Sequence, residues 1–243
     1  MAETIAPDAG ATAPKPLPAR LFGVITSPRS TYAAVAARPR SLGVMAVVIA
    51  VVATGTVLLF STEVGQRALL EQQVKTLQSF GMRVSDQMYQ RMQESVGRAP
   101  YTAAIGQLVT LPLFAAIIAG IAIGVFNAIM GGDAKFKQVY AVVAHSGVII
   151  AVQQLFVMPL NYVRESLSSP TNLGVFLPML DENSFLARLL GSIDLFIIWW
   201  CVSLAIGLGV LYRRRTGPIA TTLLIVYVVI GIVIAAIKSA VGS

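Results

Sequence analysis

The chain has 243 residues, of which 56% are hydrophobic and 12% charged, against about 25% charged in an ordinary soluble domain. Its apolar runs are long enough to cross a bilayer, which excludes a soluble globular domain and points to a polytopic membrane protein. The net charge of +7 comes from Lys and Arg flanking those runs, where they meet anionic lipid and set orientation. Nucleic acid is therefore not the implied partner.

Residues 1–20, "MAETIAPDAGATAPKPLPAR", are rich in Ala and Pro and lack a charged region followed by an apolar core. They read as a disordered tail, not a signal peptide. Residues 21–243 read as one membrane domain. In "LFGVITSPRSTYAAVAARPR", Ser27 suits an N-cap and Pro28 the first helical position, so a helix is predicted over 28–37, ending before Pro39. Tyr32, Val35 and Ala36 share a face ringed by Arg29, Arg38 and Arg40, the pattern of a short interfacial helix.

Five apolar segments follow, at 42–61, 101–130, 139–158, 189–212 and 218–240. At a rise of ~1.5 Å, ~20 residues cross a ~30 Å core, so the expected fold is an all-α membrane bundle with five transmembrane helices. The second segment exceeds that length, and Pro112 is a place for it to kink. Residues 62–99 are polar and form an amphipathic helical insert. Leu70, Val74, Leu77, Val84 and Met88 keep near-heptad spacing, and Glu63 with Arg67, Glu71 with Lys75 and Glu94 with Arg98 are i,i+4 pairs. Gly81 breaks the pattern. Two readings stand for this insert: a face for membrane or partner, or a helical pair packing on itself.

The basic loops set the expected orientation. Arg29, Arg38 and Arg40, then Lys135 and Lys137, then Arg213, Arg214 and Arg215 fall on one side of a five-span protein. That side is predicted to be cytoplasmic, with the C-terminus outside. Arg213, Arg214 and Arg215 read as an anchor facing anionic lipid. Ala116, Gly120, Gly124 and Ala128 make a small-residue stripe suited to close helix packing, within the chain or between copies; Gly231 and Ala235 repeat it. Trp199 and Trp200 lie mid-segment and read as helix-packing residues. The single cysteine, Cys201, makes no intrachain disulfide and reads as a small buried hydrophobe.

The sequence carries no H-E-x-x-H, G-x-S-x-G, glycine-rich phosphate loop or C-x-x-C motif. His145 is the only histidine, and its neighbour Ser146 points ~100° away on a helix. No catalytic residue, metal site or cofactor is implied. The intramembrane polar residues are the functional candidates. By helical rise, Asp194 lies ~7 Å below the outer edge and His145 ~9 Å above the inner edge, too far apart in depth to pair. An outer polar layer of Asp194, Gln107 and Gln153 or Gln154 is expected instead, with an inner layer of His145, Asn127 and Ser203. Asp194 reads either as a buried carboxylate or as a helix start near the headgroups.

Three stretches carry a family resemblance: "LFGVITSPRSTYAAVAARP", "FKQVYAVVAHSGVI" and "IDLFIIWWCVSLAIGLGVLYRRRTGPIATTLLIVY", the last holding a D-L-F-x-x-W core before a small-residue run and a basic turn. Together they resemble the Yip domain family. The resemblance implies five spans and a cytoplasmic N-terminus. Eukaryotic members bind Rab-type GTPases and one another. The composition and insert resemble bacterial members, which places the chain in a bacterial inner membrane. The expected function is a non-enzymatic scaffold that organises membrane or recruits protein partners, itself included. The alternative is a small lipid or solute carrier using the polar layers.

Overall fold

Residues 15–181 and 184–241 are described by a computed structural model, and every regular element among them is helical. Helix α1 (Leu17–Thr26) begins inside the stretch read as tail. Leu17, Leu21 and Val24 fall on one face and pack against the core, which the surrounding Ala and Pro disguise in sequence. The tail boundary expected at residue 20 therefore moves, and residues 1–14 lie outside the described residues.

Helix α2 (Pro28–Ala37) keeps its expected limits, but its apolar face is not turned to the membrane surface. Thr31 and Tyr32 are fully buried and Val35 nearly so. They pack on the helices α7 (Phe136–Ser146) and α10 (Leu195–Leu211). The close approach is made at Gly207, where a Cβ would stand 2.5 Å from Val142 Cγ1 and 3.0 Å from the Tyr32 ring.

Among the described residues, four helices are long and apolar enough to cross a membrane: Leu42–Phe60, Ala99–Ile129, Phe136–Val163 and Thr216–Val241. The first is α3. The second is α6 (Ala99–Ile123) prolonged by a π turn, Gly124–Ile129. The third is α7 continued, past Gly147, by α8 (Val148–Val163). Nearly every residue of α7 from Val139 to Ser146 is buried, as expected of the central helix of a bundle. The last is α11. The insert forms α4 (Glu63–Ser79) and α5 (Asp86–Val96), capped by the Thr62 and Ser85 hydroxyls. Gly81 turns between them at φ +74°. Helix α4 folds back on α3 and touches α11, while α5 packs on α4 and leaves Met88 and Tyr89 exposed.

The segment expected to run unbroken over 189–212 is interrupted. A short helix, α9 (Phe185–Ser192), ends before Ile193, and α10 begins at Leu195. Asp194 is extended, at φ −105° and ψ 134°, and caps α10. A helix of 17 residues is ~26 Å long, just short of a ~30 Å core.

The other end of α10 closes with Arg214 N–H donating to Gly209 O at 2.8 Å. That six-to-one bond puts Arg213 at the left-handed position usually held by glycine, with φ +53°. Arg213→Gly is expected to raise stability by about 1 kcal/mol by removing that strain. A higher thermal unfolding midpoint in detergent is the readout.

Gly120 and Gly124 lie exposed on α6, with open space where a side chain would stand, so their stripe makes no helix contact within the chain. The buried small residues of α6 are Ala115, Ala119 and Ala122 on its other face. Gly231 does serve an internal contact: a Cβ there would meet Ser192 Oγ of α9 at 2.6 Å. Trp199 is 37% exposed beside Phe196, so it lies at the edge of the bundle and not in its core.

Candidate functional site

The break before α10 is built around one carboxylate. Asp194 is 7% exposed. Its Oδ1 accepts from Gln153 Nε2 at 3.2 Å and from Phe196 N–H at 2.8 Å. Its Oδ2 accepts from the Thr171 hydroxyl at 2.7 Å and from the Ser169 hydroxyl. The Asp194 N–H donates to Tyr227 Oη at 2.8 Å, and that hydroxyl donates onward to Ser192 O at 2.8 Å. Backbone pairing completes the join: Leu173 N–H donates to Ile193 O and Leu195 N–H to Thr171 O, at 2.8 and 3.1 Å. One residue thus ties α8, the 169–173 loop, α9, α10 and α11 together. The two sequence readings of Asp194 merge, since it is buried and starts a helix.

A carboxylate offers about four acceptor positions, and here the chain itself supplies four donors. This arrangement holds structure and leaves the carboxylate little capacity for a ligand. Gln154 takes no part in it. It lies against α3, where a Cβ on Gly55 would be 3.2 Å from Gln154 Cγ. Adjacent side chains on a helix diverge by ~100°, so only one glutamine of the pair faces α10. Gln107 is not among the four donors to Asp194; the contact of α6 with α10 is made by Phe114 on Trp200, ring centroids 6.2 Å apart. The polar cluster around Asp194 is therefore Gln153 and three hydroxyl residues, Ser169, Thr171 and Tyr227.

The inner layer does not assemble. His145, fully buried, donates from Nδ1 to Ala141 O at 2.7 Å, and its Nε2 faces Arg20 Nη1 at 3.4 Å. Arg20 Nη1 also donates to Arg40 O at 3.0 Å. Burial, and then the charge of Arg40, lowers the pKa of Arg20 from its ordinary value. Asn127 donates to Ala134 O at 2.8 Å and closes the turn after α6. Ser203 bonds the Tyr32 hydroxyl at 2.7 Å. Burial raises the Tyr32 phenol above its ordinary range, with the Ser203 bond pulling the other way, so it stays protonated. Tyr32→Phe is expected to cost about 1 kcal/mol, the value of one buried hydrogen bond, seen as a lower thermal midpoint.

A second feature lies along the bundle. Residues of α6 and of α11 line the two sides of a cleft of about 650 Å³. Its walls are apolar, including Phe114, Phe126, Trp200, Leu208 and Val226. The π turn and the residue after it supply Val125, Phe126 and Met130. Past the Pro218 end of the cleft, Arg29, Arg213, Arg214 and Arg215 line a basic hollow. Arg214 links the two by donating to Met130 O at 3.3 Å.

The family model of the Yip1 domain matches residues 22–237, nearly the whole chain. The chain belongs to the Yip1 domain family. Comparison with curated proteins and with solved structures gives no match. In this Yip1 domain the D-L-F-x-x-W stretch has a visible physical basis. Asp194 caps and pins, while Phe196 packs against Phe156 and Trp199 with ring centroids 5.8 and 5.9 Å away. The residues missed from sequence were the hydroxyls of "SSPT" and Tyr227. The clue was available: a polar Ser-Thr cluster entering the bundle at Asp194's end needs an acceptor there.

Proposed function

We propose that this Yip1 domain is a non-enzymatic membrane scaffold with five spans, α10 being the additional one. It sits in a bacterial inner membrane with its N-terminus cytoplasmic and its C-terminus outside. Its partners are other membrane proteins or further copies of itself; a Rab-type GTPase enters only through the eukaryotic members of the family. The carrying observation is that Asp194, the carboxylate within an apolar run, is fully engaged by donors of its own chain. A polar group spent in this way supports rigidity, not turnover. The outward stripe of Gly120 and Gly124 offers a surface for close helix contact in lipid.

The second reading, a lipid or solute carrier, is favoured by the lateral cleft. Proteoliposomes separate the two. The scaffold reading expects solute flux and lipid exchange equal to protein-free vesicles; flux abolished by Asp194→Asn overturns it. Topology is checked in a Cys201→Ser background by labelling single cysteines. Ser30→Cys and Arg215→Cys are expected to react from one side of the membrane, and Ser85→Cys from the other. Labelling of Arg215→Cys from the same side as Ser85→Cys would eliminate the five-span arrangement.

A further inference from the structure

We propose that the cleft between α6 and α11, with its basic rim, is a binding site for one anionic glycerophospholipid. An acyl chain lies in the cleft, and the phosphate lies on Arg213 and Arg214. The proposal is independent of the scaffold reading.

Three observations carry it. The polar groups of α11 that enter the cleft are spent internally: Thr222 Oγ1 donates to Pro218 O and Tyr227 to Ser192 O. The occupant is thus met by hydrocarbon. Along α11 the lining runs from Pro218 to Ile230, ~18 Å at ~1.5 Å per residue, close to one leaflet of a ~30 Å core. That is the depth an acyl chain of one leaflet occupies. Finally, four arginines gather at one end, past Met130 and Pro218, as an anionic headgroup requires. Arg214 spends one donor on Met130 O and stays exposed, and Arg213 occupies a strained backbone position where glycine is the usual residue.

The full chain, purified in mild detergent, is equilibrated with equal phosphatidylglycerol and phosphatidylcholine of identical acyl chains and read by native mass spectrometry. One phosphatidylglycerol per protein is expected, at about fivefold preference or more for each arginine engaged. Arg213→Gly, which relieves strain and so folds, is expected to cut that preference about fivefold, as is Arg214→Gln. Thr222→Trp, on an exposed cleft position, is expected to reduce retention of both lipids about tenfold by filling the cleft. A phosphatidylglycerol with a photoreactive acyl chain is expected to label peptides holding Trp200 or Thr222. Equal retention of the two lipids by the unmodified protein overturns the proposal. So does unchanged retention in Thr222→Trp, labelling confined to residues outside the cleft lining such as Gly120 and Gly124, or glycerol phosphate competing as well as the whole lipid. A dimer whose cleft residues are protected without lipid overturns it in favour of a second copy.

Discussion

Asp194→Ala is expected to lower the unfolding free energy by about 3–5 kcal/mol, the range for stripping a buried charge network of its centre. The loss has identifiable parts. The Gln153 amide, the Ser169 and Thr171 hydroxyls and the Phe196 N–H all lose their acceptor, and α10 loses its cap. A buried donor left unpaired costs about 1–3 kcal/mol, and some of these groups find water once the loop lifts. Asp194→Asn keeps one acceptor and the side-chain shape, so a loss of about half is expected. Thermal unfolding in detergent measures both. Limited proteolysis within 164–181 is the local readout, because that loop is held by the same carboxylate. If Asp194→Ala unfolds within 1–2 °C of the unmodified protein, the carboxylate does not hold this junction together.

Tyr32→Ala is the second large effect, expected at about 3–5 kcal/mol. The ring is fully buried between α2, α7 and α10, and its removal leaves a cavity that Gly207 has no side chain to fill. The reciprocal change, Gly207→Val, overfills the same place and is expected to cost about 1–3 kcal/mol. Because the two sites touch, Gly207→Val in the Tyr32→Ala background is expected to cost less than alone. Equal costs in both backgrounds would show that α2 is not seated there. Cleavage by protease in 28–37 separates undocking of α2 from global unfolding.

Much of the architecture was legible in the sequence because hydrophobic runs and helix stops are local. The limits of α2 follow from Pro28 and Pro39, and the four long spans follow from their length. The sidedness of α2 was not legible. Tyr32 and Val35 make an apolar stripe that serves a lipid surface or a protein groove equally well, and only the partner Gly207, 175 positions away, decides between them. The break at Asp194 was hidden for a similar reason. Read along the chain, residues 189–212 are one apolar run. The residues that make it cheaper to open the helix there, Ser169 and Thr171, belong to another loop. Depth arithmetic did separate Asp194 from His145 and place Gln153 near Asp194. It gives no azimuth, so it did not separate Gln153 from Gln154. His145's neighbour Arg20 was lost with the stretch read as tail.

The junction at Asp194 also fixes an order of events. Its donors Gln153, Ser169 and Thr171 precede it in the chain and are made first, but Tyr227 follows it by 33 residues. While the chain is being synthesised, α10 is capped before the Asp194 N–H and the Ser192 carbonyl have their phenol. The joint between α9 and α10 sets only when α11 arrives beside it. A nascent chain stopped before Tyr227 therefore carries an unlatched joint, and arrival of the last helix is the event that locks the ones before it.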